Sequence, residues 1–155
     1  MSLKFSSSQG GVYKLIGAID GDAGLELNRM ARGIKGAARL NLGAVESMNS
    51  TGVRTWMSFL KSLPADCALV IEDAPPPFVD SMNMVHGLCG AAAVASIQVP
   101  YLCKSCKLEA LVTTPVHPQM ATNRASAPPC KRCQTAMAIN VGPDYFEFTA
   151  HVRLA

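Results

Sequence analysis

The sequence predicts an α/β fold: a mostly parallel or mixed sheet with helices, plus a small C-terminal β element. Three observations predict it. Short β-branched runs alternate with helical apolar periodicities between residues 12 and 100. Prolines, threonines and paired cysteines replace that alternation after residue 100. No apolar stretch reaches the roughly 20 residues that a membrane-spanning helix needs, since the weakly polar stretch from Gly87 to Leu102 is interrupted by Ser96, Gln98 and Pro100.

The elements follow in order. Val12 to Ile19, VYKLIGAI, is rich in β-branched and aromatic residues and reads as a strand. Asp20-Gly21-Asp22 breaks it, and Asp22 is placed to cap the next helix. In that helix Leu27, Met30, Ala31 and Ile34 share a face, and Gly33 and Gly36 can end it. Ala38 to Leu42 follows as a short strand. A loop, GAVESMNST, then leads to a second helix with Val53, Trp56, Met57 and Leu60 on one face, stopped by Pro64. The continuous run Ala68-Leu69-Val70-Ile71 predicts a strand buried on both faces. Pro75 to Pro77 open a third helix, whose Phe78, Met82, Val85 and Cys89 share a face. Ala92 to Val99 completes the alternation as a fourth strand. Parallel neighbours need crossovers, and these are right-handed.

Composition narrows the function classes. The chain has 155 residues, 49% hydrophobic and only 16% charged, which excludes a disordered chain. A net charge of +3 does not demand a nucleic-acid or membrane partner. Aromatics at 6% are too scarce for a single-strand stacking platform. The N-terminal MSLKFSSSQGG lacks an apolar signal core, so a soluble, cytoplasmic protein is expected. There is no nucleophile elbow, P-loop lysine motif or paired-carboxylate signature, so a non-enzymatic protein is expected.

The cysteines carry the sharpest signal. Cys103/Cys106 and Cys130/Cys133 form two C-x-x-C pairs separated by 23 residues. Four thiolates with two-residue spacers suit a tetrahedral structural Zn²⁺ with no open coordination position. VPYL before Cys103, LEALVTT after Cys106 and YFEFTA near the end read as the strands of a zinc ribbon. Lys104, Lys107, Lys131 and Arg132 can offset the net −2 of a Zn²⁺–thiolate₄ group. Rubredoxin-type iron fits less well, because Lys107 and Gln134 stand where such pairs usually have glycine; disulfide or redox chemistry is a third alternative. The polar, proline-bearing loop from Thr113 to Pro129 gives a metal crosslink a sufficient structural reason. Cys67 and Cys89 read as small buried hydrophobes. None of His86, His117 and His151 is needed as a ligand. The expected organisation is an α/β domain over 1–102 and a ribbon-like extension over 103–155.

Three segments resemble the STAS superfamily, the domain of sulfate-transporter tails and anti-sigma-factor antagonists. They are Gly17-Ala18-Ile19-Asp20, Met48-Asn49-Ser50-Thr51-Gly52-Val53, and Phe78-Val79 through Gly87-Leu88. The resemblance implies a STAS-like domain that binds a protein partner, such as an anti-sigma factor with serine-kinase activity. It implies phosphorylation at Ser50 as the switch. It also implies a binding face of Asp20, Asp22, Asn49, Ser50, Thr51, Gly52 and Arg54. Two departures are visible: Asn49 replaces the family's aspartate, and the cysteine-rich segment stands where the family has a final helix. From the residues alone, Ser50 or Thr51 also serves as a helix cap, and a phosphate there would meet free N–H groups and the positive helix end. The alternatives are a nucleic-acid-associated ribbon module and a structural or assembly protein on the same scaffold.

Overall fold

The computed structural model describes residues 1–120 and 127–155. Strands β1 (Lys4–Ser8) and β2 (Val12–Ile19) form an antiparallel hairpin. Then come α1 (Gly24–Gly33), β3 (Ala37–Met48), α2 (Ser50–Ser62), β4 (Ala68–Glu72), α3 (Pro76–Met84) and β5 (Ala93–Val94). β2, β3, β4 and β5 are successive parallel neighbours. Every crossover therefore steps the same way across the sheet, and right-handed connections place the three helices on one face. The Trp56 ring of α2 meets the Phe78 ring of α3 edge-on, centroids 5.2 Å apart, within that shared core.

Burial alternates along the strands accordingly. Tyr13, Leu15 and Ile19 of β2, Ala38, Leu40 and Leu42 of β3, and Leu69 and Ile71 of β4 are buried under the helices. Lys14 and Arg39 point the other way and are exposed. β4 is thus buried on one face, not on both as its apolar run suggests; Val70 is half-buried and the Arg39–Glu72 ion pair joins β3 to β4. The physical reason is the one-sided stacking of the helices.

Three boundaries differ from the sequence expectation. α3 ends at Met84, so Val85 is its C-cap and Cys89 lies in a turn beyond it. β3 runs on through the expected loop to Met48, because β2 supplies ladder partners for Ala44, Val45, Ser47 and Met48. The expected strand over 92–99 divides. β5 stays in the first sheet, whereas β6 (Ser96–Leu102) turns into a second, antiparallel sheet with β7 (Glu109–Pro115) and β8 (Ala138–Ile139) in the order β7-β6-β8. A polar cluster holds the divergence: Ser96 Oγ donates to Asp73 Oδ1 at 2.9 Å, and Asn41 Nδ2 donates to Asp73 Oδ2 at 2.8 Å.

The chain then comes back. YFEFTA lies in a 3-10 helix, Pro143–Ala150, rather than a strand. Its Tyr145, Phe146 and Phe148 are buried, and β9 (Arg153–Leu154) pairs in parallel with β5. Asn83 of α3 donates to the Tyr145 carbonyl at 3.0 Å, the Tyr145 hydroxyl donates to the Gln98 carbonyl at 2.7 Å, and the His151 ring stacks on His86 at 3.9 Å. Division of the chain between 102 and 103 therefore leaves this last segment on the other side of the line from the sheet and helix it packs on. Of the loop expected between Thr113 and Pro129, Thr113–Pro115 belong to β7, Val116 and Met120 are buried, and residues 121–126 lie outside the described residues. No helix among the described residues is long and apolar enough to cross a membrane.

Candidate metal centre and helix-end face

The two cysteine pairs sit on two tight turns built alike. In the first, Lys107 N–H donates to the Cys103 carbonyl and Cys103 N–H donates to the Leu108 carbonyl, both at 2.8 Å. In the second, Gln134 N–H donates to the Cys130 carbonyl at 2.9 Å and Cys130 N–H to the Thr135 carbonyl at 2.8 Å. Lys107 and Gln134 close the turns with φ of +65° and +64°, the left-handed conformation that glycine adopts most easily. Both residues take up the glycine-like geometry despite carrying side chains.

The turns bring Cys103, Cys106, Cys130 and Cys133 together, with all four Sγ atoms within 4.8 Å of one another. Cys103 and Cys133 approach to 3.4 Å, and Cys106 and Cys130 to 3.5 Å. A tetrahedral metal–thiolate centre with arms of about 2.3 Å needs sulfurs about 3.8 Å apart. The cluster's separations bracket that value, and it can hold a metal ion. In each pair the first cysteine is fully buried, whereas Cys106 is half-buried and Cys133 exposed.

The local dipoles favour thiolates at the second turn. The Thr135 hydroxyl, 3.3 Å from Cys133 Sγ, and the Thr135 backbone bring the Cys133 thiol down to about 6. Amides of Cys133 and Arg132 lower Cys130. Cys106 moves the other way, to about 11; the Leu108 backbone pulls it down, but burial and the neighbouring thiols together outweigh that pull. Four sulfurs this close share protons unless a cation replaces them. Cys89 is a buried hydrophobe whose thiol burial pushes up to about 12, and Cys67 is half-buried and also raised by burial.

The second candidate region lies at the C-terminal end of β2 and the start of α2. Asn49 is the N-cap of α2, and its Oδ1 accepts from Gly52 N–H at 2.7 Å. Neither Ser50 nor Thr51 caps the helix; Ser50 is its first residue and is exposed. The cap preceding α1 differs as well: Asp20, not Asp22, accepts, from Asp22 N–H at 2.9 Å across a 3-10 turn, Gly21–Ala23. Gly52 is pressed onto the end of β2, and a methyl group at Gly21 would touch Thr51 Cγ2 at 3.5 Å. The structure thus brings the Asp20–Asp22 turn beside Asn49, Ser50, Thr51 and Gly52, with Arg54 exposed one turn further along.

The polar cluster of Asn41, Asp73, Ser96 and Gln98 carried no sequence signal, because its members come from three distant stretches: β3, the bend after β4, and β6. Asp73, at φ +53°, is the residue there whose backbone departs from the usual range. Comparison with protein-family models and with curated proteins finds no match to this chain.

Proposed function

We propose that the chain is a STAS-like, non-enzymatic module that binds a protein partner through the helix-end face and is braced by a structural Zn²⁺. The face comprises Asp20, Asp22, Asn49, Ser50, Thr51 and Arg54, set around the buried Gly52, whose contact with Ile19 spaces the two loops. The observation that carries the reading is the close packing of the β2 end against the α2 start, which turns two separate exposed loops into one surface. Ser50 stands on it at the positive end of a 13-residue helix. A phosphate on Ser50 would find backbone N–H donors beneath it and the Asp20 and Asp22 carboxylates beside it. One modification would then change the charge of the whole face.

Zinc is the metal that four thiolates in closed tetrahedral array select best among those without redox chemistry. Bound there, it would supply a crosslink between β6–β7 and the Cys130–Cys133 turn rather than a reactive centre. The proposed setting is cytoplasmic, where thiols stay reduced.

The test pairs the chain with anti-sigma-type serine kinases of its host. Partner binding is measured before and after incubation with ATP, and phosphosites are mapped. The expected result is phosphate on Ser50 and at least tenfold weaker binding afterwards, with Ser50→Asp showing part of that loss. Phosphate found only outside residues 50 and 51, or binding indifferent to both changes, would overturn the regulatory reading.

A further inference from the structure

A second interaction surface lies beside the metal centre and is independent of the helix-end face. A groove of about 650 Å³ is lined by every residue from Leu108 to Thr113, and by Pro128, Pro129, Lys131 and Met137. Successive side chains of a strand point to opposite faces. A groove lined by consecutive residues therefore runs along the edge of β7, not over one face. β7 is also the outer strand of its sheet, since β6 is its only neighbour there among the described residues. Its outer backbone groups are a template for a further strand.

The walls and rim state what would fit. Leu108, Ala110, Val112 and Met137 make the lining apolar, and Leu111 is 54% exposed at its mouth. Lys131 lines the groove, while Lys107 and Arg132 adjoin the lining residues Leu108 and Lys131. Among the described residues none of these three cations has a carboxylate partner, and together with Lys104 they exceed the −2 of a loaded thiolate centre. Glu109 is the sole carboxylate among the lining residues. We infer that the edge of β7 receives an extended acidic peptide of a partner protein, which adds as a strand, lays alternate apolar side chains into the groove and sets its carboxylates against Lys107, Lys131 and Arg132.

The test uses fluorescein-labelled nine-residue peptides and fluorescence anisotropy on the full metal-loaded chain. One peptide alternates valine with glutamate and one alternates valine with lysine. Two further forms of the acidic peptide are N-methylated on alternate residues, one form on each set, which removes the donors of one strand edge and keeps every charge. A duplex DNA of 20 base pairs is the third kind of probe. The acidic peptide is expected to bind at least tenfold tighter than the basic one. One N-methylated form should lose that binding while the other keeps it. A Lys107→Gln, Lys131→Gln, Arg132→Gln variant with unchanged metal content should weaken the acidic peptide at least tenfold. Equal binding of the two peptides, full binding by both N-methylated forms, tighter binding of the DNA, or self-association of the chain that excludes the peptide would each overturn the inference. Should the variant lose metal, the N-methylated pair still decides.

Discussion

Gly52 and Ile19 are in backbone-to-backbone contact: a Cβ placed on Gly52 would stand 1.8 Å from the Ile19 carbonyl oxygen. No side chain fits that gap, so the start of α2 can rest on the end of β2 only because residue 52 has none. The contact sets the separation of the two loops that form the helix-end face. Gly52→Ala is therefore expected to cost about 1–3 kcal/mol, as overpacking does in a rigid environment. Urea denaturation followed by the fluorescence of the lone tryptophan, Trp56, reports it directly, since the ring lies buried in the same helix. A variant as stable as the parent would show that the helix start shifts freely.

Asn49 and Ser50 separate in the same assay. Removing the cap by Asn49→Ala should cost about 1 kcal/mol, whereas Asn49→Asp should keep the cap and gain from the helix dipole. Ser50→Ala should leave stability within about 0.5 kcal/mol, because the serine is exposed and accepts no capping bond. A large loss at Ser50 with none at Asn49 would reverse the assignment.

Purified under reducing conditions, the chain should carry one metal ion per molecule, and elemental analysis should identify it as zinc. Chelation should leave four thiols newly reactive toward a thiol reagent. Because Cys103 and Cys130 join the same continuous core as the two sheets, Cys103→Ser should loosen β6, β7 and the C-terminal 3-10 helix together, as hydrogen exchange would register. Four reactive thiols with no bound metal in the native chain would refute the assignment.

Lys107 and Gln134 hold left-handed backbone conformations that cost an ordinary residue about 1–2 kcal/mol. Glycine removes that cost but loses about 0.5–1 kcal/mol through its freer unfolded chain. Lys107→Gly and Gln134→Gly are each expected to raise the stability of the metal-loaded protein by up to about 1 kcal/mol. A loss of more than that in thermal unfolding would mean the side chains contribute contacts of their own.

Asp80 of α3, although its side chain is largely exposed, has its carboxyl raised, chiefly by the limited desolvation it does undergo and also by Asp144 nearby. A carboxyl raised on folding binds its proton more tightly in the native state, so native stability falls as pH rises through and above the ordinary carboxylate value of about 3.9. Asp80→Asn removes this term. The variant should match the parent in thermal stability near pH 3 and exceed it at pH 7. A gain that is the same at both pH values would show that the ionised carboxylate is not its cause.

By itself, the sequence determined the alternating elements and the four cysteines as a set. Apolar spacing at i, i+3, i+4 and i+7 in α1 and α2, and β-branched runs in β2 and β4, are local properties of the chain that burial on one face merely uses. Two C-x-x-C turns likewise carry their chemistry within a few residues each. The tertiary structure alone decided where strands ended and what the termini joined. β3 outlasts its apolar run because β2 offers it ladder partners, and where the run at 92–99 splits, Asp73, from the bend after β4, holds Ser96. It also decided that Asn49 caps α2 while Ser50 stays free, and that Tyr145, Phe146 and Phe148 return to α3 and the first sheet. Such outcomes depend on groups far apart along the chain competing for the same hydrogen bonds and the same buried space, and no single stretch of sequence contains both competitors.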